Sequence, residues 1–373
     1  MKIIHIFPYS VWRSGGHSNA ILAFIECQLA AGLDVCGLSP ISARSGANGC
    51  SLPLAIREIE FASCAAVGAE IERSADGGRA IVHVHAINGF TTGLAAHARS
   101  AGHAVALTSH GQLNFRSPLH ALQKFGYFAF CRSPVRYAHG IHVLTNKEQQ
   151  RLRFLIPGYK GKVVTLPHII HDAPGREIVT NSRQPDEFAG KGGFTILHLG
   201  RLDVVTKGLD LLVEGFAKSG LDQATLVLAG PDWGDGRATL EKLANRLGCG
   251  QRVVFPGAVY GDEKERLLAS ADLFVAASRW DAFNISLAEA LARGIPALVS
   301  ERLNLAPDLA RAGAAEVVNG TARALAMAIR RLSQDPIRRH DIASRGKAWV
   351  AAHCSKKQVG AGFVTFYNDC LCQ

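Results

Sequence analysis

The sequence predicts an α/β protein made of two doubly wound domains, and three observations lead there. Short apolar runs alternate with helical segments along the chain, the pattern of parallel strands joined by crossover helices. The alternation is interrupted by HDAPGREIVTNSRQPDEFAGKGG at residues 171–193, which is polar, holds Pro and Gly, lacks periodicity and reads as a linker. The length, 373 residues, is too great for one ordinary core and comfortable for two.

Before the linker the strand candidates are KIIHIF, DVCGLSP, AIVHVHAI, AVALTSHG, GIHVLT and KVVTLPH. After it the pattern restarts with FTILHLG, ATLVLAGP, RVVFPGA, LFVAAS, IPALVS and AAEVV, with helices over 207–219, 236–247 and 263–271 between them. The domains are therefore expected at residues 1–175 and 190–354. In open parallel sheets ligands bind beyond the carboxyl ends of the strands. That rule picks out Gly15 and Gly16 after the first strand, and His110 and Gly111 at the end of the fourth. In the second domain it picks out Gly200 and Arg201, and then Asp281. Two domains facing each other would gather these clusters in one cleft.

Apolar content of 48% and charged content of 19% describe a folded chain without disordered composition. No apolar run reaches the roughly 18–20 residues of a membrane span, and the N-terminus reads as a strand, not a signal peptide. Nine scattered cysteines, several in apolar helix or strand settings such as Cys27, suggest a reducing cytosol without a disulfide framework. The two thiols of DCLCQ are not expected to hold a metal. The net charge of +10 is uneven: residues 99–162 hold ten Lys or Arg and one acid, Glu148. Such a surface suggests an anionic partner. Within it, FRSPLHALQKFGYFAFCRSPVRY at 115–137 carries Arg116, Lys124, Arg132 and Arg136 among aromatics. It reads either as a basic amphipathic helix on an anionic membrane or as a core helix with a solvated basic face. Nucleic acid is not expected, because no binding module accompanies the charge.

Several common motifs are missing. No G-x-G-x-x-G opens a helix after a strand, no G-x-x-x-x-G-K-[ST] occurs, and no D-x-D pair is available for a diphosphate-bound cation. The stretch GRLDVVTKGLDLL offers another way to neutralise a phosphorylated ligand. Arg201 leaves a strand end and Lys207 is expected to open a helix six residues later. The pair suits a diphosphate, Arg as a planar fork and Lys as a point charge, or else is two solvated cations. In SRWDAFNISLAEALARGIP a helix is expected to start near Asn284, its unpaired amides facing an anion. Asp281 lies just outside that end, and Glu289 lies roughly 8 Å inside at about 1.5 Å per residue. Carboxylates offer only acceptors and so suit vicinal sugar hydroxyls. The alternatives are a capping acid for Asp281 and a surface residue for Glu289, although Glu289 stands among Leu and Ala and would need a partner if buried. His110 is either a cleft residue or a structural strand-end histidine, and His83 and His85 are taken mainly as strand residues.

Together these segments resemble the retaining glycosyltransferases of family 4. SRWDAFNISLAEALARGIP is similar to their E-x7-E signature and GRLDVVTKGLDLLVEGF to their Arg/Lys diphosphate motif. The resemblance continues through TLVLAGPD, RVVFPGAVYGDEKERLLASADLFVAAS, SGGHSNAILAFIECQLAAGLDV and IVHVHAINGFTTGLAAHARSAG. It implies the GT-B fold, two Rossmann-like domains facing across a cleft, with a C-terminal helix at about 355–373 packing back on the first. It also implies site roles. Gly15 and Gly16 lie in the loop that approaches the donor phosphate, and His110 faces the transferred sugar. Arg201 and Lys207 clamp the diphosphate, and Asp281 and Glu289 are the two acids. Phe283, Asn284 and Ile285 supply backbone amides, and Gly257, in the segment 253–258, borders the nucleobase. The chain departs from the family with Asp281 in place of Glu, and with Asn284 in place of Gly, where Asn would tolerate left-handed geometry. LPHIIHD departs from the usual PNG-V-D, which leaves His168 a structural reading.

What the resemblance implies is a metal-independent hexosyltransferase without cofactors. Its donor is a UDP- or GDP-linked sugar, and its acceptor a glycan or a polyprenyl-diphosphate-linked sugar of bacterial surface polysaccharide. The expected location is cytoplasmic, peripheral on the inner face of the membrane. The rival readings are a GT-B-fold nucleotide-sugar epimerase or hydrolase, and a non-catalytic sugar-nucleotide-binding subunit.

Overall fold

A computed structural model describes residues 1–8, 16–41, 55–113, 122, 134–170 and 193–373. Gly15, nearly all of the linker and most of the 115–137 segment lie outside the described residues. Two compact units divide the chain. One comprises Met1–Ile169 with His353–Gln373, and the other is Ile170–Ala352.

The first unit holds seven parallel strands: β1 (Lys2–Ile6), β2 (Asp34–Pro40), β3 (Ile56–Ile59), β4 (Ala80–His85), β5 (Ala104–Thr108), β6 (Gly140–Val143) and β7 (Lys162–Thr165). Their order is β3-β2-β1-β4-β5-β6-β7. β3 is not among the apolar runs that mark strands in the sequence. Its IREI sets two charged residues between two isoleucines, as an edge strand allows, and is buried at Ile56 alone. Helices α1 (Gly16–Ala30), α2 (Cys64–Ala75), α3 (Gly89–Ser100) and α4 (Asn146–Leu155) cross between strands. Ser63, Asn88 and Thr145 begin the last three by accepting a first-turn amide on their side chains.

Side chains alternate across a strand, so this sheet has two unlike faces. One is aliphatic: Ile4, Ile6, Val82, Val84, Val105, Leu107, Ile141 and Val143 form a core with Val67, Ile71 and Leu94. The other carries His5, His83, His85, Thr108 and His142, all fully buried. Strand register sets them side by side, His5 opposite His83, His85 opposite Thr108 and Thr108 opposite His142. This polar face lies under α1, which supplies Phe24 and Gln28, and under the chain's last helix, Lys356–Leu371, which supplies Phe363 and Tyr367.

The second unit holds six parallel strands: β8 (Thr195–Leu199), β9 (Thr225–Ala229), β10 (Val253–Gly257), β11 (Leu273–Ala276), β12 (Ala297–Ser300) and β13 (Glu316–Val318). They are ordered β10-β9-β8-β11-β12-β13. Between them run α5 (Val204–Lys207), α6 (Leu209–Lys218), α7 (Gly236–Arg246), α8 (Gly261–Ser270), α9 (Ile285–Ala292), α10 (Ala306–Ala312) and α11 (Ala322–Gln334). β8, β9, β11 and β12 are buried along their whole length, as a parallel sheet covered on both faces requires. The helix expected over 207–219 is two helices. Gly208, at φ 64°, breaks the chain between them, and a side chain there would strike the Ala277 carbonyl. Lys207 therefore ends a helical turn instead of opening a helix. The cysteines among the described residues are free thiols, and Cys27 is buried core, its thiol pushed up to about 12 by burial. Among the described residues no helix is long and apolar enough to cross a membrane.

Burial holds the strand histidines neutral. His5, His142 and His198 are each lowered to about 4 by desolvation. The unfolded chain takes up these protons near pH 6.5 and the folded chain only near 4, so stability is full above about 6.5 and falls with pH below it. Each such histidine contributes a slope of about 1.4 kcal/mol per pH unit inside that window. Thermal unfolding followed by circular dichroism should show a flat Tm above pH 7 and a steep loss between pH 6.5 and 5. A Tm unchanged over that interval would mean that the buried histidines are already charged.

Candidate functional site

In the second unit the strand order reverses between β8 and β11, the usual place for a ligand in an open sheet. β8 ends at Gly200 (φ 154°) and β9 at Gly230 (φ 145°). Their backbones approach so closely that a side chain on Gly230 would strike the Gly200 carbonyl. The amide of Gly230 donates to Gly257 at 2.6 Å, which ties the end of β10 to the same edge. Arg201 follows Gly200 and is exposed, its guanidinium 4.4 Å from the centre of the Trp233 ring.

Lys207 and Asp281 meet directly. Lys207 Nζ donates to Asp281 Oδ2 at 2.6 Å, and the side chains keep only 16% and 11% of their exposure. The loop that carries Asp281 is strapped down beside Lys207. Arg279 donates to both oxygens of Asp210 at 2.7 Å, and its amide donates to the Thr206 carbonyl at 3.0 Å. Asn284 begins α9 as its cap, accepting the Leu287 amide at 2.9 Å. Its φ is −83°, so Asn stands here for its side-chain oxygen and not for left-handed tolerance. The alternative of a capping acid at Asp281 falls with the same observation. Phe283 is buried beside the cap, and Ile285 opens the helix, whose first amides have no acceptor within it.

Glu289 has the partner that its apolar surroundings demand. Lys264 on α8 donates to Glu289 Oε1 at 2.8 Å, and Arg293 donates to the Glu289 carbonyl at 2.8 Å. Arg293 also holds Glu265 through two bonds of 2.6 Å, which fixes α8 against α9. His198, on β8, lies beneath Gly200 with Nδ1 donating to the Val275 carbonyl at 3.2 Å. Burial and then the charge of Lys207 lower its pKa. Sequence reasoning did not single out Lys264, Trp233, Arg279 or His198. An interior Glu on an apolar helix was the available signal for Lys264, because it requires a cation nearby.

In the first unit His110 follows β5 at φ 46°, in a turn that Glu148 holds. Glu148 is fully buried and accepts from Ser109 Oγ at 2.5 Å, from the Gly111 amide at 3.1 Å and from the Leu144 amide at 2.9 Å. Burial raises its pKa against the pull of those donors. The one acid of the basic stretch is thus a structural anchor for the turn. His110 Nε2 lies 2.8 Å from His85 Nδ1, and its ring is near-parallel to that of His168, which stacks on Phe24. Gly16 is the first residue of α1. His5, His83 and His85 bring ring nitrogens within 4.8 Å of one another, as a metal site would. All six nitrogens already have hydrogen-bond partners, namely Gln28, Tyr367, Thr108, His110 and one another. The His5–His85 and His83–His85 rings are stacked, at 16° and 20° between planes. The cluster is built as a hydrogen-bonded layer.

Residues 180–349, most of the second unit, match the family described as Glycosyl transferases group 1. An uncharacterized glycosyltransferase of Methanocaldococcus jannaschii is 42% identical over 107 residues, 28% of this chain and 26% of that protein. The match thus spans about a quarter of that relative's length. The fold is that of GT-B glycosyltransferases. Sucrose-phosphate synthase from Thermosynechococcus elongatus superposes with a TM-score of 0.74 at 18% identity, over 98% of both chains. Anabaena HepE in complex with UDP-glucose does so with 0.71 at 16%, over 99% of both.

The Lys207–Asp281 pair is nearly buried, so breaking it strands a charge. Lys207→Met should destabilise the second unit by about 2 kcal/mol, less than a fully buried pair would cost because some exposure remains. Lys207→Met with Asp281→Leu should recover part of that loss. Urea unfolding of the three proteins reads the coupling, and strictly additive losses would deny that the pair acts as a unit.

Proposed function

We propose that the protein is a retaining glycosyltransferase that moves a hexose from a UDP- or GDP-linked sugar to a glycan or lipid-linked acceptor in bacterial surface polysaccharide assembly. The observation that carries this reading is the grouping at the carboxyl edge of β8 and β11. There the Lys207–Asp281 pair and the capped start of α9 lie within the residues that match the family Glycosyl transferases group 1.

Lys207 has three N–H donors and spends one on Asp281, which leaves it able to face a diphosphate without moving. Arg201 and the first amides of α9 complete the electrostatic field that stabilises the leaving diphosphate. Asp281 accepts from hydroxyls of the transferred sugar, and Glu289, steadied by Lys264, from the ribose. Gly16, Phe283 and Ile285 approach the phosphates through backbone atoms, Gly257 borders the base, and His110 meets the sugar. No metal or cofactor is required in this reading. Anabaena HepE was crystallised with UDP-glucose, which makes that donor the first to try.

Arg201→Ala and Lys207→Ala should each lower turnover by about two orders of magnitude in EDTA while the fold is kept. Near-normal rates for both variants would remove the clamp. Sugar-nucleotide consumption that ignores every acceptor would favour the hydrolase or epimerase reading.

The two acids should separate by calorimetry. Glu289→Gln is expected to weaken free nucleoside diphosphate, and Asp281→Asn the sugar-nucleotide but hardly the free diphosphate. Equal losses for both variants would contradict this division.

The basic segment at 99–162 is proposed to meet the anionic membrane that carries the acceptor. Binding to anionic liposomes should fall steeply with salt, at about 1 kcal/mol for each basic side chain near the surface. Equal binding to neutral liposomes would refute it.

A further inference from the structure

The buried histidines form two hydrogen-bonded chains, each given its direction by one fixed end. His142 Nε2 lies 2.8 Å from the Leu166 carbonyl, which can only accept, so the proton is on Nε2 and the lone pair on Nδ1. Thr108 Oγ1, 2.9 Å from that Nδ1, must donate to it. The Thr108 oxygen then accepts from His83 Nε2 at 2.7 Å. His83 Nδ1 is left as an acceptor, and the Tyr367 hydroxyl donates to it at 2.7 Å. Burial raises the Tyr367 pKa well above its usual value, so this proton is present at neutral pH.

Gln28 fixes the direction of a second chain. Its oxygen, Oε1, is 2.8 Å from His5 Nε2. An amide oxygen can only accept, so His5 carries its proton on Nε2 and its lone pair on Nδ1. His85 Nε2 therefore donates to His5 Nδ1 at 2.8 Å. His85 Nδ1 is then an acceptor, and His110 Nε2 donates to it at 2.8 Å. Each ring passes its orientation to the next because a neutral imidazole has one donor and one acceptor nitrogen. The rings are neutral, since burial holds His5, His83, His85 and His142 below their ordinary range.

We propose that Gln28, His5 and His85 are positioning residues that hold His110 in a single tautomer, with the proton on Nε2 and the lone pair on Nδ1. A substrate group that reaches His110 Nδ1, which is buried in this structure, then meets an acceptor and must be a hydroxyl that donates, not a carbonyl or phosphate oxygen. The tautomer stands on the hydrogen-bond geometry of the first unit alone. Its use toward a sugar hydroxyl rests on the transferase reading.

The experiment is long-range 1H–15N correlation on the whole ligand-free protein with 15N-labelled histidine, near pH 7.5. Resonances are assigned by single His→Gln variants. His5, His85 and His110 should each show one tautomer, protonated on Nε2. A proton on Nδ1 in any of the three, or fast averaging at His110, overturns the proposal. In Gln28→Met the His110 nitrogens should begin to average, while His142, anchored on Leu166, keeps its Nε2 proton and reports that the unit is intact. His110 unchanged beside an intact His142 would show that Gln28 does not set it. Gln28→Glu, which still presents only acceptors to His5, should preserve the Nε2 proton on His5, and its loss there would also overturn the chain. With donor and acceptor in hand, Gln28→Met should lower kcat about tenfold or more while the donor KM stays within about twofold, as expected when a histidine loses its tautomer and not its place. An averaged tautomer with unchanged kcat would overturn only the role toward the sugar. Absence of any transfer activity would sink the transferase reading and leave the nitrogen spectra as they are.

Discussion

A parallel sheet covered on both faces leaves its polar side chains no water to turn to, and that constraint organises this molecule. Strands that read as aliphatic runs nevertheless carry His5, His83, His85, His142 and His198, all buried. In the first unit those histidines satisfy one another and recruit Gln28, Thr108 and Tyr367 from neighbouring elements. The result is a hydrogen-bonded layer on one side of the sheet and a plain aliphatic core on the other. Glu148 obeys the same rule, surrounded by three donors from the turn it anchors.

The second unit applies the rule to ions. Asp281 and Glu289 are each matched with a lysine from another element before any ligand arrives. Prior pairing fixes one oxygen of each carboxylate and so restrains where the second points. On the proposed function, a diphosphate would meet side chains already in position, with little reorganisation as the charge changes. The glycines at the ends of β8 and β9 allow this edge to form by letting two strand ends come closer than any side chain would permit.

The sequence displayed the two-unit α/β architecture because parallel strands must be apolar throughout, and apolar runs are easy to see. β3 escaped because an edge strand keeps only one apolar residue buried. Arg201, Asp281 and Asn284 were legible as single positions, since each follows a strand or begins a helix. How the site residues pair was not. Lys207 and Asp281 lie far apart in sequence, and no local rule joins them. The break at Gly208 looked like ordinary helix because Leu209 to Lys218 continue the same periodicity. Asn284 was read for its backbone tolerance when its value is as a cap. His83 and His85 were read as strand residues, which they are. Their partners Gln28 and Tyr367 come from distant helices, so the layer they form leaves no periodic trace.

The chain's last long helices lead from the second unit back to the first: Pro336–His353 ends where the second unit does, and Lys356–Leu371 packs under the histidine face. The second unit is continuous in sequence and the first is not. During synthesis the second unit can therefore close while the first still lacks a wall of its core, although the first began to emerge earlier. Tyr367, whose hydroxyl donates to His83, arrives on Lys356–Leu371, after the whole of the second unit. His83 therefore waits for one of its two partners until the second unit has been made.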